Sequence, residues 1–370
     1  MADALVYRAE GQAVLRGGGD LYGFTVTEWQ LPATYPPFAA LLFVPAALLP
    51  VPALKATFLA GNALLLAALV QLSARLADLP KIRLPRRTAL CAATAAALWL
   101  EPVFQTLLFG QINLALACLI LWDLTRPSGA RWKGAAIGIA AGIKLTPAIF
   151  IAYLLVRGRH REARTATAAC AGTVVLGALA LPSASLDFWT RRLYETDRVG
   201  KAWIVDNQSL QGLIARALGD PAPGPAAWAL PCAAVALTGL WLAARAVEDR
   251  HAILLTAFTA LLVSPISWSH HWVWCVPLIV VLLAEGRTRT AALVALVFTA
   301  RTMWLLPHQG DLDLQLPWWQ QPLASPYPLL VAALPFAYDR MIIRNSSNRA
   351  NQANGEAPCV SHRFARQPPA

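Results

Sequence analysis

Lys144 stands in Gly142-Ile-Lys-Leu-Thr-Pro147, midway along an apolar run from Lys133 to Val156. A lysine so placed either snorkels to water along its methylenes or lines a polar cavity, where an ammonium suits a phosphate or pyrophosphate group. Thr146 and Pro147 break the helix and leave backbone groups that lipid cannot satisfy, a situation tolerated at a cavity. His270 and His271 follow Ser264-Pro-Ile-Ser-Trp-Ser269. Adjacent histidines diverge on a helix, so this pair alone makes no two-ligand metal centre. One imidazole turned into a cavity acts as hydrogen-bond donor or proton relay; the plainer alternative is interfacial packing. Glu101, Gln111 and Asn113 flank a short turn, and their carboxylate and amides match the hydroxyl-rich edge of a sugar or equally join helix to helix. Asn207, Ser209 and Gln211 offer similar groups in a long polar loop. Asp3 opens Asp3-Ala-Leu-Val-Tyr7, ahead of the membrane-facing Tyr35-Pro-Pro-Phe38. A carboxylate at a membrane rim either deprotonates a hydroxyl or is a solvated charge near a terminus, and no local pattern separates the two.

Composition names the solvent of the scaffold that must hold these groups. Apolar residues make up 57% of the 370 and charged ones only 14%, where a soluble domain carries about 25% charge. The expected class is an all-α, polytopic transmembrane bundle. A spanning helix needs roughly 20 apolar residues, which places spans near 53–75, 88–107, 110–126, 165–182, 226–245, 252–268, 271–286, 290–306 and 322–339, about nine in all. The net charge of +11 does not point to nucleic acid, because the 31 lysines and arginines fall in short groups between apolar runs. Positive residues stay on the cytoplasmic side in short loops. If 36–50 is an interfacial helix and 133–156 a re-entrant hairpin, the groups at Arg75 to Arg87 (with Lys81 and Arg83), Arg126 to Lys133, Arg157 to Arg164, Arg245 and Arg250, and Arg287 and Arg289 share one side. The polar stretches 1–35, 183–225 and 307–321, which hold most of the acids, then face outside as juxtamembrane loops, and chemistry is expected there. Residues 1–340 read as one membrane domain and 341–370 as a disordered cytoplasmic tail. Five of the six cysteines lie in apolar runs and read as small buried hydrophobes. The sequence holds no P-loop, no Gly-x-Gly-x-x-Gly after a strand and no His-Glu-x-x-His, so nucleotide-driven transport and zinc proteolysis lack their signatures.

Eight segments in order, Asp3-Ala-Leu-Val-Tyr7, Asp20-Leu-Tyr22, Tyr35-Pro-Pro-Phe-Ala-Ala-Leu-Leu42, Glu101-Pro-Val103, Gly110-Gln-Ile-Asn113, Gly142-Ile-Lys-Leu-Thr-Pro147, Asn207-Gln-Ser-Leu-Gln-Gly212 and Ser264-Pro-Ile-Ser-Trp-Ser-His-His-Trp-Val-Trp274, closely resemble glycosyltransferase family 87. This is the group of actinobacterial polyprenol-phosphate-mannose-dependent α-1,2-mannosyltransferases of the GT-C class, some of whose relatives transfer arabinofuranose. The resemblance covers residue 3 to about 340. It implies an integral-membrane enzyme that moves a sugar from a lipid-phosphate donor, with its active site on the external side. It also implies an essential aspartate in the first external loop, matched by Asp3, and an external histidine, matched by His270 or His271. Lys144 stands as a donor-phosphate contact mainly on the physical grounds given above. Such enzymes carry a transmembrane helix ahead of the aspartate, so this sequence is expected to lack its first one.

The expected function is transfer of a mannosyl residue from a polyprenyl-phosphate donor to a lipid-linked mannoside or glycan, among membrane lipids and without nucleic acid. Asp3, His270 and His271 are the catalytic candidates, and Lys144, Glu101, Gln111, Asn113, Tyr35 and Asn207 the substrate-binding ones. A phosphate leaving group needs no nucleotide, cofactor or obligatory metal, although a divalent cation is compatible with it. The alternatives are arabinofuranosyl transfer and a lipid or glycan transporter without catalysis; the sequence shows no clear internal repeat of the kind many transporters use.

Overall fold

Prolines punctuate the N-terminal third. In the computed structural model, which describes residues 1–79, 85–308 and 310–334, α1 (Ala2–Leu15) leads into an antiparallel ribbon of β1 (Thr25–Val26) and β2 (Leu31–Pro32). Pro37 and Pro45 then begin α2 (Pro37–Leu42) and α3 (Val44–Ala47), and Pro52 lies in the first turn of α4 (Val51–Leu76). A first-turn proline gives up only an N–H that has no helical partner. Gly11 of α1 sits so close to Phe43 that a Cβ there would meet the Phe43 carbonyl oxygen at 2.4 Å.

The remainder is helical: α5 (Arg86–Ala97), α6 (Glu101–Phe109), α7 (Asn113–Leu124), α8 (Ala135–Ile143), α9 (Ile149–Val156), α10 (His160–Ala180), α11 (Pro182–Asp187), α12 (Leu210–Leu218), α13 (Pro225–Arg245), α14 (Asp249–Val263), α15 (Cys275–Ala284), α16 (Thr288–Ala300) and α17 (Gln321–Ala324). Residues Met1–Val331 form one unit. The all-α expectation holds, since β1 and β2 are the only strands among the described residues. α4, α10 and α13 are long and apolar enough to cross a membrane. Their outward faces are apolar too, with Leu64, Leu179 and Leu237 at 74%, 77% and 72% exposure. Side chains of this kind facing outward from long helices fit lipid rather than water.

Lys144 marks a reversal of the chain. Along α8, an added Cβ at Gly134 would strike the Glu162 carbonyl oxygen, at Gly138 that of Ala166, and at Gly142 the Thr173 side chain. The register rises on both helices, so α8 and α10 run parallel and the chain must come back through α9, which links them. Glycines every four residues let the two backbones approach closely, as small residues do in membrane helix pairs. Asp123 of α7 closes the base of this hairpin: its carboxylate accepts from the N–H groups of Gly134, Ala136 and Ile137 at 2.9 to 3.3 Å. That satisfies donors at the start of α8 that otherwise lack partners.

The expected straight span over 88–107 is instead a bent pair, α5 and α6, meeting at 81°. Leu100 is extended (ψ 127°) and Pro102 starts a new helix. Counted as one, the pair would add a fourth span. The spans expected over 252–268, 271–286 and 290–306 are helical over 15, 10 and 13 residues. α14 stops because Ser264 precedes Pro265 and is pushed to extended geometry, and α16 stops where Arg301 turns left-handed. Lys81, Arg83, the end of the span expected over 322–339 and the tail expected over 341–370 lie outside the described residues.

Candidate active site

The reversal after α8 presents a charge. Lys144 is extended (φ −145°, ψ 133°), so its side chain leaves the helix axis. Its Nζ donates to Asn113 Oδ1 at 3.2 Å and to His271 Nε2 at 2.9 Å, and lies 5.5 Å from the centre of the Tyr35 ring. Asn113 opens α7 and also fixes the histidine turn: its Nδ2 and the Thr106 hydroxyl both donate to the His270 carbonyl at 3.1 Å. His270 is buried edge-on against Phe109 and His271, at 5.4 and 4.8 Å between ring centres. Neither of its ring nitrogens has a hydrogen-bond partner. Burial holds both imidazoles well below the usual histidine range, and the Lys144 charge lowers them further. Both are therefore neutral near pH 7, which lets His271 Nε2 accept from the ammonium.

α1 brings the carboxylate to the same place. Asp3, Tyr7 and Glu10 stand at i, i+4 and i+7 and share a helical face. The Tyr7 hydroxyl donates to Gln111 Oε1 at 2.9 Å and the Tyr35 hydroxyl to the same oxygen at 3.2 Å. Gln111 in turn acts on the Asp3 carboxyl. Burial raises the Asp3 carboxyl to about 6, opposed by the Gln111 amide and the Lys144 charge. Gly110, with φ +73°, caps α6 and seats the turn against α1, where its missing Cβ would lie 2.9 Å from the Ala4 Cβ. Only glycine takes that backbone geometry at no steric cost. Asp3, Tyr35, Gln111, Asn113, Lys144, His270 and His271 thus converge, as does Tyr7, which the sequence did not single out.

Asn207 departs from its expected sugar-facing role. It is fully buried, its Oδ1 accepts from the Ser209 and Ser267 N–H groups, and its Nδ2 donates to the Ala202 and Pro265 carbonyls. With every donor and acceptor spent on the backbone, it pins the loop before α12 to the histidine turn. Glu101 is likewise engaged, accepting from the Trp304 indole at 3.0 Å and the Tyr327 hydroxyl at 2.7 Å. Asp206 was passed over as one acid in a polar loop. Its backbone oxygen and Oδ1 both accept from the N–H of Ser269, at 2.8 and 3.1 Å, and burial together with the Glu101 charge raises its carboxyl to about 7. Its position beside the Asn207-Gln-Ser209 segment was the available signal.

From Lys144, Asn113 and His271 a half-open cleft leads between helices. Its walls are apolar: Leu116, Ala117 and Ile120 from α7, Phe150 from α9, Ala257 and Leu261 from α14. One cationic rim and a greasy interior suit a ligand with an anionic head and a hydrocarbon tail.

The model of glycosyltransferase family 87 matches residues 33–265. A polyprenol-phosphate-mannose-dependent α-(1-2)-phosphatidylinositol mannoside mannosyltransferase of Mycobacterium tuberculosis is 35% identical over 329 residues, covering 83% of this chain and 76% of that protein. A protein of the same name from Mycolicibacterium smegmatis is 35% identical over 358 residues, covering 88% and 80%. A polyprenol-phosphate-mannose-dependent α-(1-2)-phosphatidylinositol pentamannoside mannosyltransferase of the latter organism is 36% identical over 282 residues, covering 74% and 67%. No solved structure matches the chain. The matched region begins just after the ribbon, ends at Pro265 and takes in Lys144, Gln111 and Asn113, and on these grounds the chain belongs to glycosyltransferase family 87.

Proposed function

We propose that this membrane glycosyltransferase moves a mannosyl residue from a polyprenyl-phosphate donor to a mannoside of phosphatidylinositol or a similar lipid-linked glycan, on the external face of the cell membrane. The observation that carries the reading is the Lys144–Asn113–His271 rim at the mouth of an apolar cleft. The donor phosphate sits at the ammonium, as a charge-assisted partner, and the isoprenoid lies along α7, α9 and α14. Asp3 takes the proton from the acceptor hydroxyl as its oxygen bonds to the anomeric carbon. The bond from that carbon to the phosphate oxygen breaks, and polyprenyl phosphate leaves with the electron pair. His270, buried with two unpartnered nitrogens, offers an N–H to a sugar hydroxyl, while His271 holds the lysine.

In membrane terms, 133–156 dips in and out, α2 and α3 lie in the interface, and the bundle has about nine crossings within residues 1–340. The hairpin's two ends lie together, since Lys133 Nζ is 3.9 Å from Glu162. That supports a cytoplasmic position for both basic flanks.

The test supplies the protein in vesicles with polyprenyl-phosphate mannose and a phosphatidylinositol mannoside. Expected are mannosylated acceptor and released polyprenyl phosphate, both abolished by Asp3→Ala. Full activity of Asp3→Ala removes Asp3 from the mechanism. Transfer only from polyprenyl-phosphate arabinose replaces mannose as the sugar, and lipid movement without release makes the protein a transporter.

A further inference from the structure

Glu10 of α1 is 1% exposed, and its Oε1 has no hydrogen-bond partner. Seven residues after Asp3, it lies about 10 Å farther along the same helical face. A buried carboxyl left unpaired is costly, so its retention calls for a compensating group or a ligand. The charged group that acts on it most strongly is Arg198, followed by Asp3. Arg198 stacks over the Tyr22 ring at 5.6 Å, and its Nη1 donates to the Ala33 carbonyl. Tyr22 donates to the Tyr35 carbonyl at 2.8 Å, which ties this group to the ring beside Lys144. A carboxyl, a guanidinium and aromatic faces, two helical turns from the base, are a set that recognises neighbouring hydroxyls of a sugar.

We infer that Glu10, with Arg198 and Tyr22, forms a second subsite that holds hydroxyls of the acceptor's glycan beyond the one that Asp3 deprotonates. The inference rests on the glycosyl-transfer reading above. The donor's phosphate has its place at Lys144, whereas Ala13, on the same helix as Glu10, packs in one cluster with Tyr22 and Ala33, and the Arg198 charge acts on Glu10 from the polar segment. Burial pushes the Glu10 carboxyl up to about 8 and Arg198 opposes the rise, so the group is largely protonated near pH 7 and can both donate to and accept from a hydroxyl. The sequence marked Glu10 only as one of several external acids.

The test measures transfer by the full chain in vesicles, varying acceptor and donor separately for wild type, Glu10→Gln and Arg198→Lys. Expected is a rise in acceptor KM of roughly three- to tenfold for each variant, the loss of one or two hydrogen bonds, with donor KM and kcat at saturating acceptor within about twofold. An acceptor lacking one of the neighbouring hydroxyls should raise KM in wild type and add little in Glu10→Gln. An unchanged acceptor KM in both variants, or a fall in kcat with KM unchanged, overturns the subsite; the latter is what a purely structural carboxyl would give. Absence of transfer by the wild type would instead count against the glycosyl-transfer reading itself.

Discussion

The base role proposed for Asp3 requires an ionised group, and burial places its carboxyl at about 6. Activity is therefore low where the group is protonated and rises with pH through that value. The expected profile of kcat/KM has an ascending limb near 6, lost together with activity in Asp3→Asn. The two histidines, lowered well below their usual range, contribute no limb there. Lys144→Met removes the proposed charge-assisted partner of the donor phosphate. It should lower kcat/KM for the donor about ten- to hundredfold while acceptor KM changes little, as read by varying each lipid in turn. Lys144 and the histidines were legible because ionisable groups stand out against an apolar background. Tyr7, Glu10 and Asp206 were not, because a tyrosine or an acid in a polar stretch reads the same whether solvated or buried. Asn207 misled for the converse reason: an amide's residue type does not reveal that backbone groups already occupy it.

At the level of elements, the reversal at Lys144-Leu-Thr-Pro147 could be read from the chain, since a proline and a charge inside an apolar run have few other accommodations. The bend before α6 could not be read so easily, because Glu101-Pro102 looks like an interruption of a span when it is the start of a helix. Gly110 makes that second turn sensitive. Gly110→Ala forces a left-handed backbone on a residue with a Cβ and drives it toward Ala4. The expected cost is about 1 to 2 kcal/mol in stability, with a larger fall in turnover because α1 carries Asp3. Comparing the thermal midpoint with kcat separates the two effects. Gly138→Ala, whose Cβ would meet the Ala166 carbonyl oxygen at 2.1 Å, should lower the thermal midpoint by prising α8 from α10.

For the molecule as a whole, composition and the placement of arginines led to a helical membrane protein, but span counting by hydropathy overstated how regular the helices are. Among the described residues three helices have full length, and the others are shorter or bent. The proposed orientation is open to a direct check. A cysteine introduced at Ser128 in a chain without reactive cysteines should be shielded from an impermeant thiol reagent in intact cells, and one at Gln320 should react. Ala117→Trp fills the cleft below Lys144. It should raise the KM for a long-chain polyprenyl donor far more than for a short-chain one, whereas equal effects would place the isoprenoid elsewhere. One contact described above bears on the bilayer itself. Because Gly11 leaves no room between α1 and the Phe43 backbone, Asp3 has no hinge of its own and rides with the short proline-started helices. Any change in lipid thickness that lifts or sinks those helices moves Asp3 relative to Lys144, so turnover should pass through an optimum as acyl chain length is varied.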